Sequence, residues 1–458
     1  MSNRDLTEGS VRGHLVRLGM PMTIGIVAAM SVALIDTYFL GLLGTNELAA
    51  ISFTFPVVFA ITSLSIGLGA GTASVVSREI GRGDWERTKR TATDSLVLAV
   101  IIVAIVALIG WLTAEPLFRL LGADPEVLAL TVAYMRIWYI GMPFLVVPMV
   151  ANNIIRANGD AIVPSAIMVA VSVINAALDP FLIFGWWGLP AMGIEGAAWA
   201  SVIARALTMV VAVGVVVFRE KLVDLSIPRF DVLMASWRRI LVVGVPAALG
   251  NAVNPVGIAV VTAIIATFGT QAVAGFGVAT RVEAFASIPM LALSAAIGPI
   301  AGQNWGSGRQ GRVASAVRQS FVFCAMWSIG AALVMFLLAE PIAGVFSDDE
   351  AVLDVAARYL AIVPISLGGY GVVTIAAGAY NALGKPLTGL SYYLVRTAML
   401  YVPLAWIASH FAPSWGVFAA IAASNVVAGA LVAWHALHWL ANAEQEDCTP
   451  QAASVPAE

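Results

Sequence analysis

Gly19-Met20-Pro21 opens a long apolar run, and 225 residues later Gly244-Val245-Pro246 opens another. The same offset carries Gly44-Thr45 onto Gly269-Thr270, Gly81-x-Gly83 onto Gly306-x-Gly308 and Ala114-Glu115-Pro116 onto Ala339-Glu340-Pro341. Further on it aligns Tyr134 with Tyr359 and Asn158-Gly159 with Leu383-Gly384. An offset held over so long a stretch marks a duplicated unit. Both copies are apolar throughout, so the duplication predicts two related bundles of membrane helices, a plan common among transporters. The mismatches are informative too, since Asp36 of the first copy stands opposite Val261 of the second.

Hydrophobic residues make up 60% of the chain and charged residues 11%, with a mean hydropathy of +0.91, which excludes an ordinary soluble domain. Apolar runs able to cross about 30 Å of hydrocarbon recur along its length. They predict twelve spans, at 14–40, 47–73, 91–113, 131–153, 161–184, 191–217, 237–265, 272–300, 315–338, 358–380, 387–409 and 415–440. Runs this long are helices, because barrel strands are about ten residues with alternating polarity. The expected fold is therefore an all-α polytopic membrane protein of twelve helices in two pseudo-symmetric six-helix bundles. The first bundle is expected over 1–218 and the second over 237–442, with a cytoplasmic connector at 219–236 and a disordered, acidic tail at 443–458. An even number of spans per copy gives both the same orientation, related by an axis along the membrane normal.

The net charge of −3 says little, but its distribution says more. Arg78, Arg82, Arg87, Lys89 and Arg90 fall between spans two and three; Arg219, Lys221, Arg229, Arg238 and Arg239 fall between six and seven; Arg309, Arg312 and Arg318 fall between eight and nine. The alternate loops hold mainly acids, as in Asp348-Asp349-Glu350. The positive-inside rule then places both termini in the cytoplasm; the chain is expected in the cell (inner) membrane, as a monomer in the lipid bilayer. Basic runs of this kind set topology and give no support to nucleic-acid binding. Polar Met1–Arg12 leads directly into the first span, without a signal-cleavage pattern. Cys324 and Cys448 make no disulfide framework, and His14, His410, His435 and His438 lack metal-ligand spacing. No nucleotide-binding loop or nucleophile constellation is present, so neither an enzyme nor a cofactor is expected.

Gly67-x-Gly69-x-Gly71 and Gly368-Gly369-x-Gly371 read as packing devices between spans. Pro21 lies fifteen residues before Asp36 on span one, where a bend would move the surroundings of that acid. Ionisable groups inside a membrane are costly and default to functional candidates. Six are expected there: Asp36, Asp179, Glu283, Arg205, Arg281 and Arg396. Asp36 and Asp179 sit at similar depth on two outward-running spans, Asn175 is one turn before Asp179, and Ser201 on span six reaches the same level with Arg205 one turn deeper. Two close carboxylates hold a proton more tightly than one. With an amide and a hydroxyl they predict a proton or cation site in the first bundle. Glu283, two residues from Arg281, reads as a structural ion pair; Asp94 and Glu115 read as surface residues at span ends.

At these residues the chain resembles the multidrug and toxic compound extrusion (MATE) family. The resemblance spans all twelve helices. It rests on the duplicated six-span halves, Asp36 with Gly41 and Gly44, Asn175-x-x-x-Asp179, and Gly196-Ala197-Ala198-Trp199-Ala200-Ser201. It implies export of organic cations and other drugs against H⁺ or Na⁺ by alternation between outward- and inward-open states. It further implies an ion-coupling site at Asp36, Asn175, Asp179 and Ser201, with the Ala197 carbonyl as an additional ligand and Pro21 as hinge. Family patterns usually carry Thr where Ser201 stands, which keeps the hydroxyl. The second-half acids of some branches are absent from Val260-Val261-Thr262 and from 370–381, so the chain is similar to the DNA-damage-inducible type, coupled through the first half. Arg205 stands where many members carry Gln, and a nearby positive charge favours H⁺ over Na⁺ as the coupling ion. Tyr38, Trp138, Tyr139, Met149, Met290 and Tyr370 are expected to line a substrate cavity. The alternative is a flippase for a lipid-linked saccharide, for which the three intramembrane arginines would supply a basic cavity.

Overall fold

The computed structural model describes residues 5–188, 190–226, 228–346 and 348–448, and among them every regular element is helical. A bilayer imposes this, since backbone N–H and C=O groups find no water in hydrocarbon and must bond within their own segment. The α-helices are α1 Val11–Gly41, α2 Thr45–Gly81, α3 Trp85–Leu120, α4 Pro125–Ala157, α5 Ile162–Phe184, α6 Gly193–Gly214, α7 Phe230–Ala266, α8 Thr270–Gly306, α9 Gln310–Leu337, α10 Ala339–Gly344, α11 Glu350–Ile362, α12 Leu367–Ala382, α13 Pro386–Leu394, α14 Val402–Phe411 and α15 Ser414–Cys448. Among the described residues eleven stretches are long and apolar enough to cross a membrane, α11 and α12 counting as one run through a 3₁₀ turn at Pro364–Ser366. The twelfth, residues 386–411, is α13 and α14 joined through a π-helical turn at Val395–Tyr401. The protein is thus an all-α polytopic membrane protein of twelve spans in two bundles.

The helices outrun the apolar windows that announce them. α2, α7 and α8 each have 37 residues. At ~1.5 Å per residue that is about 55 Å, well beyond the roughly 30 Å of hydrocarbon. Polar caps end the extensions: Asp84 accepts from the Arg87 N–H at 3.1 Å before α3, and Asp349 from the Ala351 N–H at 2.9 Å before α11. The same lengthening shortens the expected connector, because the π-helical end of span six runs to Arg219 and α7 already begins at Phe230. It also carries α15 to Cys448, past the start expected for the tail; residues 449–458 lie outside the described residues.

Two compact units divide the chain. The first comprises Met20–Val76 and Asp84–Ala248; the second comprises Met1–Gly19, Ser77–Gly83 and Leu249–Glu458. The first has a core around Phe118, Met135, Trp138, Tyr139, Met142 and Ile154. The second has one around Val261, Phe276, Tyr359, Val417 and Phe418. The glycine clusters do pack helices closely. A Cβ on Gly71 would lie 2.4 Å from the Ile240 carbonyl oxygen in the first unit, and one on Gly369 would lie 2.0 Å from that of Asn425 in the second. Without aqueous surroundings to drive apolar burial, such backbone approach is a main source of helix adhesion.

Asp94 departs from its expected surface place. It is fully buried in α3, taking Nε and Nη2 of Arg90 on one carboxylate oxygen at 2.9 and 2.6 Å, while Trp237 Nε1 donates to its backbone oxygen at 3.0 Å. Glu115 is exposed and pairs with Arg119 at 2.7 Å.

Candidate functional site

In the first unit α1, α5 and α6 converge on the acids. The α5–α6 crossing is close because Gly196 has no side chain; a Cβ there would meet the Leu182 carbonyl oxygen at 2.3 Å. That approach lets Ser201 Oγ donate to Asn175 Oδ1 at 3.3 Å, and Asn175 Nδ2 donates in turn to Asp179 Oδ1 at 3.2 Å. Asn175 and Asp179 are one turn apart, so they share a helix face. Pro180 follows Asp179 and gives no N–H to the preceding turn, which loosens the backbone beside the carboxyl. Asp36 on α1 brings its carboxyl within hydrogen-bond reach of Asp179. Asp36 Oδ1 and Asp179 Oδ2 are both buried without a hydrogen-bond partner. The chain Ser201, Asn175, Asp179, Asp36 is therefore a polar relay that ends on two orphaned carboxylate oxygens. Arg205 on α6 and Tyr134 on α4 are electrostatic neighbours of Asp36, and of one another. The Ala197 side chain joins Leu40 and Ile183 in a small apolar cluster between the same helices.

The second unit holds a different polar group. Tyr359 donates its hydroxyl to Glu283 Oε2. Arg396, only 5% exposed, lies in the π-helical turn. Its Nε donates to Asn425 Oδ1 at 2.8 Å and Nη1 to Asn254 Oδ1 at 2.7 Å, while its guanidinium lies over the rings of Tyr370 and Tyr401 at 4.7 and 5.3 Å. A π-turn shifts the side-chain register by one position, which is what points Arg396 inward. The expected Arg281–Glu283 pair is not formed: Arg281 is exposed. Residues two apart on a helix point to nearly opposite sides and cannot pair; Arg396 is the basic neighbour of Glu283.

The expected cavity residues are scattered. Tyr139 is 2% exposed and Met290 fully buried; Tyr139 packs against Gly110 and Met290 against Gly371, so both are core side chains rather than cavity walls. Trp138 is core too, edge-on to Tyr139 at 6.2 Å. Tyr38 is 64% exposed on α1, and Tyr370 lies beneath Arg396. Met149 is half-buried, and its carbonyl accepts Asn153 Nδ2 at 2.8 Å. Pro21 lies inside α1. His435 accepts or donates at Nδ1 with Tyr392 at 2.7 Å, and His438 stacks on Trp434, so the two histidines serve different faces.

Residue chemistry alone does not single out Tyr134 and Tyr359 as neighbours of these acids. The signal was present in the duplication. Each is the same residue of its copy, and each stands beside the buried acid of its own unit.

Comparison with known proteins follows the same outline. The MatE family model matches residues 21–181 and 246–407, one match per copy. A FAD transporter of Shewanella oneidensis is 36% identical over 415 residues, covering 91% of this chain and 92% of that protein. The probable multidrug resistance protein YoeA of Bacillus subtilis is 27% identical, covering 81% of this chain and 80% of its own. The crystal structure of a mutant of the Vibrio cholerae MATE transporter VcmN superposes with a TM-score of 0.91 at 30% identity, covering 96% of this chain and 99% of that one.

Proposed function

The chain belongs to the MATE family of multidrug and toxic compound efflux transporters, and from that premise we propose that it exchanges cargo for H⁺ through Asp36 and Asp179. One observation carries this reading: two carboxyl groups within hydrogen-bond reach, each with a buried oxygen that has no partner. Two ionised carboxylates do not rest at that separation, whereas a single shared proton satisfies both orphaned oxygens. Loss of the proton leaves two repelling charges, and α1 can answer by bending at Pro21. Proton occupancy then biases two conformations by its differential free energy in each, the only way a ligand shifts such an equilibrium. Asn175 and Ser201 hold Asp179 in place, and Tyr134 with Arg205 sets the field around Asp36.

Na⁺ is the alternative ion, and Asp36, Asn175, Asp179 and Ser201 would be its ligands. The guanidinium of Arg205 near Asp36 opposes any bound cation; a proton is preferred because it can be held in a hydrogen bond between the two carboxyl groups, which Na⁺ cannot form. For cargo, amphipathic organic cations follow from relatives named as multidrug resistance proteins. A second cargo reading, a flavin nucleotide, follows from the Shewanella relative named as a FAD transporter at 36% identity. Ethidium and flavin efflux from proteoliposomes under an imposed pH gradient tests both; absence of any efflux under that gradient would remove the proton-exchange reading and bring the lipid-linked saccharide flippase forward.

A further inference from the structure

The relay just described leaves one interior cation without a task. Arg156 stands in the last turn of α4, and its side chain reaches back along the helix, as helical side chains do. Nη2 donates to Asn153 Oδ1 at 2.7 Å and Nη1 lies 3.6 Å from Met22 Sδ. Among the described residues these are its polar partners, an amide oxygen and a thioether sulfur. The other two interior arginines have acids as electrostatic neighbours, Asp36 for Arg205 and Glu283 for Arg396.

Arg156 is half-buried. Its neighbours are arranged around it. Asn153 fits because Gly69 on α2 lacks a side chain; a Cβ there would lie 2.3 Å from Asn153 Nδ2. Met22 is held from its other side by Ser165 Oγ at 3.5 Å. Asn152, one turn before Arg156 on the same face, has a buried Oδ1 without a hydrogen-bond partner.

The duplication shows that packing does not require this group. The 225-residue offset places Ala377, Gly378 and Asn381 where Asn152, Asn153 and Arg156 stand, so the second copy folds the same helix end without the charge and without the asparagine pair. A partly buried guanidinium at a helix end with only neutral partners is left uncompensated, and an anion would complete it. Its planar fork of donors matches phosphate oxygens; Asn153 Oδ1 orients that fork, and the Asn152 Nδ2 is a neutral donor one turn earlier on the same face.

We propose that Arg156, with Asn152 and Asn153, is a phosphate-recognition site of the first unit. The proposal rests on the exporter reading above and assigns its cargo to phosphorylated compounds, with the phosphate of an anionic lipid as the other source of the same chemistry.

Riboflavin and flavin mononucleotide differ by one phosphate and are the probes. Their affinities are measured on the purified full chain in nanodiscs, in phosphatidylcholine alone and with phosphatidylglycerol added. The wild type binds flavin mononucleotide at least tenfold tighter than riboflavin. Arg156→Gln reduces that preference by about ten- to one-hundredfold, the usual worth of a charge-assisted hydrogen bond, while Arg156→Lys retains part of it. Asn152→Asp sets a carboxylate against the guanidinium without shortening either side chain, and also abolishes the preference. Weakened nucleotide binding in phosphatidylglycerol, absent in Arg156→Gln, assigns the site to a lipid phosphate; no such competition assigns it to soluble cargo. Equal affinity of the wild type for the two flavins, or an intact preference in Arg156→Gln, overturns the proposal. Proton-driven ethidium efflux by the wild type, measured alongside, reports on the exchange mechanism independently of phosphate binding.

Discussion

Asp36→Asn removes one titratable carboxyl while preserving the outline of the side chain. In the wild type Asp36 Oδ1 and Asp179 Oδ2 are buried without partners. The new amide supplies a permanent donor to Asp179, as if the shared proton never left. A hydrogen bond to a charged acceptor is worth about 1.5–3 kcal/mol. Near 2 kcal/mol, that is roughly a thirtyfold bias toward the proton-loaded conformation at every pH. The gradient then has nothing to act on. In proteoliposomes carrying one pH unit of gradient, one-for-one exchange lets the wild type hold up to about a tenfold ethidium ratio. The variant is expected to hold none, only dissipating a ratio imposed beforehand, with expression and melting temperature unchanged. Uphill accumulation by Asp36→Asn at the wild-type level would refute the shared-proton reasoning, because the remaining carboxyl would then suffice.

Three further outcomes are expected. Val261→Asp, at the position opposite Asp36 in the duplication, buries a carboxylate among Phe276, Tyr359 and Phe418; it should lower the melting temperature and create no new pH dependence of transport, and a second titration in the efflux profile would show otherwise. Gly71→Leu drives a side chain into the Ile240 carbonyl, whose oxygen is 2.4 Å from the Cβ position, and should cost about 1–3 kcal/mol of stability by overpacking; a wild-type melting curve would mean that α2 and α7 are not held by that contact. Cargo charge should appear in electrogenicity. One-for-one exchange of a monovalent cation for H⁺ moves no net charge and should ignore an imposed potential, whereas a phosphorylated anion leaving as H⁺ enters should respond by about 2.3 kcal/mol per charge per 100 mV; flavin nucleotide efflux indifferent to potential would oppose that cargo.

Much of the architecture was legible in the sequence because membrane burial writes it in simple terms. A segment must be long, apolar and helical, and the duplication repeats the turn residues at a constant spacing. The acids of the first unit were legible for a related reason. Asn175 and Asp179 lie one turn apart, which fixes their common face whatever the tertiary packing. What depended on tertiary packing was harder to read. Asp94 reads as a surface residue from its place at a span end, whereas the Arg90 and Trp237 side chains close over it. Sequence proximity pairs Glu283 with Arg281, whereas its hydrogen-bond partner Tyr359 is 76 residues away. Arg396 turns inward through a π-helical turn that no hydropathy window reveals. Residue type alone points Tyr139 and Met290 to a cavity wall, and type does not distinguish a core aromatic or methionine from one facing an open space.

The central claim is that the ion exchanged for cargo is a proton shared by Asp36 and Asp179. Its most direct test is ethidium efflux from proteoliposomes under two separate conditions: a pH gradient in Na⁺-free buffer, and a Na⁺ gradient at equal pH on both sides. Proton exchange predicts efflux in the first and none in the second. Efflux that requires Na⁺ and ignores the pH gradient would contradict it, and would make Asp36, Asn175, Asp179 and Ser201 the ligands of a metal ion.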